Sequence, residues 1–259
     1  MNRPPEILIN SGFVTDANGV MTSMVIPDNV VTQNGPSVVT TYAQTINWIP
    51  SGTSTLEEFY ANKCKNLNVY FNGFTNLTIV SLNAIESISG QRFNNCANLA
   101  QINCPELTDM ANTAAYVYVF NNLPLVTEIN FPKLKSISCS NNASVFGAMN
   151  GVTSINLPEC ETINGNGGPV FNAMTGVITL SLPKIKNIYS NSTGVFLSFT
   201  SMTTATLGSV GNPVTSLGSY TFKSCTQSGL TITVYTQGGA ALSGEPWGAT
   251  NATIEYEEA

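Results

Sequence analysis

Cys160 stands between Glu159 and Glu161 in the stretch VTSINLPECETI, residues 152–163. A thiolate flanked by carboxylates could hold a metal ion, and a thiol in such a place could be a nucleophile. Two carboxylates one residue apart also suggest the acid and base of glycoside cleavage. The chain contains no histidine. That zero removes Ser-His-Asp triads, Cys-His dyads, HExxH zinc sites and imidazole acid–base chemistry. What remains depends on whether the triplet is unique in the chain.

It is not unique. LAQINCPELTDM (99–110), VTEINFPKLKSI (126–137) and VITLSLPKIKNI (177–188) share its pattern, with proline in one slot: Pro105, Pro132, Pro158 and Pro183. LTIVSLNAIESI (77–88) keeps the apolar slots and puts Asn83 where proline belongs, and MTTATLGSV (202–210) opens a sixth unit that then carries an insertion. A second signature accompanies each unit, as in FNNCANL (93–99) and FNAMTGV (171–177). Its leading phenylalanines fall at 71, 93, 120, 146, 171, 196 and 222, at steps of 22, 27, 26, 25, 25 and 26 residues. A fixed period of this length is the signature of a solenoid.

The elements follow from the spacing. Ile155 and Leu157 alternate with polar residues, which is the period of a strand with one buried face. Proline ends the ladder because it has no N–H to donate. Cys160 then points inward while Glu159 and Glu161 point outward. Phe171 and Met174 pack beneath the next coil. One unit cannot bury these groups alone, but stacked units share a continuous core. Truncation of Phe171 to Ala is therefore predicted to cost about 3–5 kcal/mol.

In this frame Cys160 fills the slot of Leu107, Leu134 and Ile185. Cys96 and Cys225 fill the slot of Phe74, Leu123, Met149, Met174 and Phe199, Cys104 replaces Leu157 or Phe131, and Cys64 is assigned to the same turn slot as Cys96. These cysteines read as small buried hydrophobes rather than a disulfide framework. Cys139 has no evident slot. The outward charges read Ala84/Glu86, Glu106/Thr108, Lys133/Lys135, Glu159/Glu161 and Lys184/Lys186 in successive units. Lysine thus occupies the carboxylate slots of neighbouring coils, which argues against an enzyme. Alternating sign predicts a salt-bridge ladder that fixes register, each exposed pair adding about 0.2–1 kcal/mol.

The 259 residues (27.5 kDa) are 42% hydrophobic, enough for a substantial core. Only 9% are charged, so Asn, Ser, Thr and Gly carry the polar surface. Net charge is −6 and the 9 basic residues are scattered, which gives no footprint for nucleic acid. No apolar run is long enough to insert in a membrane as a helix. MNRPPEILIN does not read as a signal peptide. Either a signal once preceded it, or the protein reaches its place by another route, such as a phage particle or a secretion apparatus.

The order apolar-x-x-Ile-x-Leu-Pro, apolar-x-x-Ile, Phe-x-x-Cys-x-x-Leu resembles the BspA-like (treponemal-type) leucine-rich repeat family. MTSMVIPDNV (21–30) looks like a diverged unit, and residues 229–259 are similar to the family's ending: a strand, a loop, a Trp-containing turn and a final strand. The resemblance implies a mainly β leucine-rich-repeat solenoid with a parallel sheet on one face, here with about 25–26 residues per coil and caps at both ends. The division expected is an N-terminal cap over 1–70, repeats over 71–229 and capping strands over 230–259. For many members the family also implies surface display on bacteria and adhesion to host proteins, cells or matrix.

A ligand would meet the outward positions of the strand before each proline. These include Gln101 and Asn103, Glu128 and Asn130, Ser154 and Asn156, Thr179 and Ser181. Asn103, Asn130 and Asn156 share a column, either as a hydrogen-bonded ladder or as a surface for protein or glycan. The longer loops before the phenylalanines should carry Tyr116, Tyr118 and Tyr189 partly exposed, as aromatic anchors. Trp48 and a short helix capped by Ser54 or Thr55 with Glu57 and Glu58 are expected in the N-terminal cap. Two functions compete. One is a non-enzymatic binding or adhesion protein, extracellular or on the cell surface. The other is a structural accessory of a virion. Neither calls for a cofactor or a metal, and neither fixes the number of copies.

Overall fold

The computed structural model describes residues 55–259, apart from 62, 91, 113–117 and 141–142, and five short strands before them. Those strands are Phe13–Thr15, Met21–Val25, Thr32–Gln33, Val38–Val39 and Thr45–Ile46. Trp48, Ser54 and Tyr116 lie outside the described residues.

Each coil makes three short strands separated by turns, and like strands of successive coils pair in parallel. The chain is therefore the mainly β solenoid of parallel strands that the repeat predicted, with strands on three faces rather than only on the one that the family resemblance implied. The central coil shows the plan. Ser154–Asn156 lies on a first face, Thr162–Gly165 on a second and Phe171–Asn172 on a third. The turn after Asn156 is closed by the Cys160 N–H donating to the Leu157 carbonyl at 3.2 Å. The same bond recurs one coil on, from Ile185 to Leu182 at 3.2 Å.

The third face carries the main stabilising feature. All seven periodic phenylalanines are buried and stack in register. Successive ring centroids from Phe71 to Phe222 lie 5.3, 5.4, 5.4, 4.9, 5.1 and 5.4 Å apart, with planes within 22° of parallel. Trp247 closes the column's end: it is buried, and its carbonyl accepts from the Phe222 N–H at 2.8 Å. Two residues after each phenylalanine from 93 onward the backbone turns left-handed, at Asn95, Asn122, Ala148, Ala173, Ser198 and Ser224, with φ between 48° and 61°. Only Gly73, after Phe71, is a glycine at that turn.

Two expectations need correction. Glu58–Tyr60 is a strand, not a helix. It pairs in parallel with Met21–Val25 and with Ile79–Ser81, and those ladder bonds outweigh a local capping signal. Cys64 is not in the turn slot of Cys96. The register Tyr60↔Ser81 aligns it with Ile85, and its N–H donates to Ala61 as Ile85 does to Leu82. It therefore occupies the slot of Cys160. The insertion in the sixth unit is present as a turn at 208–213, pinned by the Ser209–Asn212 bridge.

At the C-terminal end Thr231–Thr236 pairs in parallel with Thr253–Glu258, whose sequence TIEYEE places glutamates along the outermost strand. On the first face the sheet is not continuous. One sheet ends at Gln101–Asn103 and the next begins at Glu128–Ile129. The second face runs unbroken from Ser87–Ser89 to Ser216–Leu217, and the third from Phe93–Asn94 to Phe196–Leu197.

Candidate ligand-binding face

The Cys160 triplet resolves as structure rather than chemistry. Its thiol is buried, and burial pushes its pKa up to about 12. Lys184 holds Glu159 at 2.8 Å and Lys186 holds Glu161 at 2.6 Å. Hydrogen bonding and the positive charge of Lys186 hold the Glu161 carboxyl below its ordinary value. Lys133–Glu106 at 2.6 Å and Lys65–Glu86 at 3.1 Å repeat the arrangement in earlier coils. The charges thus form pairs between neighbouring coils.

All six cysteines are buried and free. Cys96 donates to the Phe71 carbonyl at 2.6 Å and Cys225 to Phe196 at 3.3 Å, so two turn cysteines tie their coil to the one below. Cys139, without a slot in the sequence pattern, donates to the Gly168 carbonyl at 2.8 Å and seals the loop of the following coil. Burial raises these thiols to about 11 for Cys96 and about 12 for Cys139 and Cys225.

The outward residues of the strand before each proline lie where the alternation placed them. Gln101, Asn103, Glu128, Asn130, Ser154, Asn156 and Thr179 are exposed on the first face, and Ser181 is half-buried beside them. Register lines up Ser154, Thr179, Thr204, Thr231 and Thr253 in one column of hydroxyls. Asn156, Ser181, Thr206 and Thr233 form the parallel column. No side-chain hydrogen bond joins Asn103, Asn130 and Asn156. The asparagine ladder of this protein is elsewhere, at the phenylalanine turn. There Asn121 donates to Asn94 at 2.8 Å and Asn122 to Asn95 at 2.9 Å.

Tyr118 and Tyr189 do not join the first face. Tyr118 belongs to the third face, lies over Gly147, and accepts at its hydroxyl from Asn172 at 2.9 Å, two coils away. A Cβ at Gly147 would come within 2.5 Å of the Tyr118 ring, so the glycine makes the space. Tyr189 is exposed on the second face, with Tyr220 exposed further along the chain.

The spacing of the sequence did not show the break on the first face. Gln101–Asn103 and Glu128–Ile129 share no ladder, and few of their Cα pairs lie within 8 Å. The gap opens as a groove of about 210 Å³ walled by Asn83, Asn103, Cys104, Pro105, Asn130 and Pro132. A small apolar hollow, with room for about one water, adjoins it, with Ile102, Val126, Ile129 and Phe131 in its lining. Size explains the break. The slot holding Leu82, Leu157, Leu182 and Leu207 holds Cys104 on one side of the gap and Phe131 on the other. The Phe131 ring reaches the phenylalanine column, 6.0 Å from Phe120 and 6.3 Å from Phe146. That bulk holds its strand away, and Cys104 is too small to fill the space left.

Comparison with known proteins agrees with this architecture. The profile of the BspA type leucine rich repeat region (6 copies) matches residues 21–140, 67–166 and 113–238. The chain belongs to this leucine-rich repeat family. Among solved structures it is similar to a leucine-rich repeat protein from Bacteroides ovatus. The identity is 14%, with 98% of this chain and 90% of the other covered and a TM-score of 0.27. No curated protein matches the chain. Among the described residues no helix is long and apolar enough to cross a membrane, and no cluster of three or more metal-binding side chains occurs.

Proposed function

We infer that the protein is a non-enzymatic recognition module, extracellular or at a cell surface, that binds a protein or glycan, such as host matrix, through its first face. The observation that supports this reading is the double column of Ser, Thr and Asn in register over successive coils, from Ser154 and Asn156 to Thr231 and Thr233. Its hydroxyls and amides offer donors and acceptors at about 4.8 Å intervals with no net charge to select ions. Solenoids of stacked repeats use such extended surfaces for binding. The best carboxylate pair for catalysis is occupied by lysines, which supports a binding role over an enzymatic one.

The test is a matrix-protein and glycan array read with the parent protein and with Thr179→Arg. Arginine there projects into solvent from the centre of the column and leaves the core untouched. Binding that falls at least tenfold in Thr179→Arg supports the first face. Binding that Thr179→Arg leaves unchanged moves the site elsewhere, and a blank array together with a stable trimer or filament in solution favours the virion-type structural reading.

A further inference from the structure

We propose that the gap in the first face is a slot for the main chain of an extended peptide from a partner protein, which completes the sheet as an added strand. This rests on the reading of the first face as a recognition surface and names what one part of it takes. Backbone geometry carries the proposal. The Gln101 N–H donates to Thr78 at 3.1 Å, and the Asn103 carbonyl accepts from Leu82 at 2.8 Å. Alternation along a parallel ladder then turns the N–H and C=O of Ile102, between them, toward the gap. The same alternation turns the Glu128 N–H toward the gap from the other side. Among the described residues no strand meets either edge there.

A strand seated between the two edges needs two strand spacings, about 9.6 Å. The two edges share no ladder and have few Cα pairs within 8 Å, so they are already parted, and a seated peptide widens the gap further. Side chains point the same way. Ile102 occupies the inward position at which Val80, Ile129, Ile155 and Leu180 are buried, yet it is only partly covered. An inward apolar side chain of the peptide would cover it and fill the room beside Cys104. The rim is made of Asn83, Asn103 and Asn130, which are neutral. Selection therefore falls on main-chain hydrogen bonding and one small apolar side chain, as in recognition by strand addition, with the Glu128 carboxylate at the second edge disfavouring an acidic peptide.

The probe is a pool of blocked hexapeptides in which Thr alternates with Val, Ile, Leu or Ala, added to the full-length protein. Amide exchange at Ile102 and Glu128 should be fast in the free protein and slow roughly tenfold or more with peptide. Peptides N-methylated at the central residues should lose affinity by a similar factor. Asn103→Cys with Asn130→Cys, bridged by a short bis-methanethiosulfonate linker to clamp the rim, should abolish binding and be restored by reductant. That reversal separates a closed slot from a misfolded variant. Slow exchange at Ile102 and Glu128 without peptide would overturn the proposal. So would hexapeptides that leave both amides unchanged, including the case where the protein instead self-associates through this edge. Hexapeptides that bind the clamped protein unchanged would sink the slot and leave the first-face reading intact. Hexapeptide binding with a blank array and no effect of Thr179→Arg would do the reverse.

Discussion

Cys160 and its neighbours show how a chemical-looking triplet is assigned by register. Thiolate chemistry needs a lowered pKa and access, and here burial supplies the opposite. With folded values of about 11 to 12 for Cys96, Cys139, Cys160 and Cys225, iodoacetamide at pH 8 should leave these thiols unmodified in the native protein and alkylate them after unfolding. The same shifts set an alkaline limit. A folded pKa above the unfolded value means the native state keeps protons that the unfolded chain has lost. Stability is then intact below the unfolded pKa, about 8.5, and falls as pH rises toward 12, by about 1.4 kcal/mol per unit for each thiol. Melting temperatures that stay level from pH 8 to pH 10.5 would contradict this. Backbone is equally specific at this scale. Ala173 sits at φ 52° where Gly73 sits at 73° in the first coil. Left-handed backbone costs a non-glycine residue about 1–2 kcal/mol, partly offset by glycine's greater unfolded-state entropy. Ala173→Gly should thus stabilise by about 0.5–1 kcal/mol in urea titration. The inward role of the cysteines was legible because each replaces a larger hydrophobe in a repeating pattern. Cys64 was misplaced because CKNL imitates CANL, and only the pairing of Glu58–Tyr60 with Ile79–Ser81 reveals the difference.

At the scale of the element, the strands were legible because inward residues alternate and proline punctuates them. Their pairing partners followed from the constant step. The gap beside Gln101–Asn103 was not legible, because it depends on two side chains 27 positions apart, Cys104 and Phe131, being mismatched in size across one interface. Tyr118 was visible as an aromatic but not as a residue committed to its own sheet, since the partner Asn172 lies 54 positions on. Charge sign, by contrast, was readable and carries a prediction. Lys184→Glu places a carboxylate against Glu159 and should cost about 0.5–1 kcal/mol, within the range for exposed pairs. Adding Glu159→Lys restores the pair but sets the new lysine beside the coil of Lys133 and Lys135. Recovery in a urea-denaturation cycle should therefore be incomplete. Full recovery would mean that each pair is isolated and that sign alternation along the stack contributes nothing.

Over the whole molecule, the phenylalanine column and the sheets of the three faces make a nearly one-dimensional object, in which each coil is stabilised by its two neighbours. Such an object should survive loss of a complete coil. Deleting residues 152–176 joins Gly151 to Val177, which stands where Val152 stood one coil earlier, and brings Phe146 against Phe196 in the column. The apolar slots then still match: Leu182 follows Phe131, and Ile185 follows Leu134. Charge does not match, because Lys133 and Lys135 now face Lys184 and Lys186 with Glu159 and Glu161 gone. The shortened chain should keep the β circular dichroism of the parent and unfold cooperatively at a lower temperature. Salt separates the two contributions. Exposed charges are screened over about 10 Å at 0.1 M and about 3 Å at 1 M. Added salt weakens the parent's attractive pairs and so lowers its melting temperature slightly. In the deletion chain the same salt relieves repulsion and raises it. Opposite slopes against ionic strength identify the charged slots as the register device of the stack. Parallel slopes would assign register to the phenylalanines and the sheets alone.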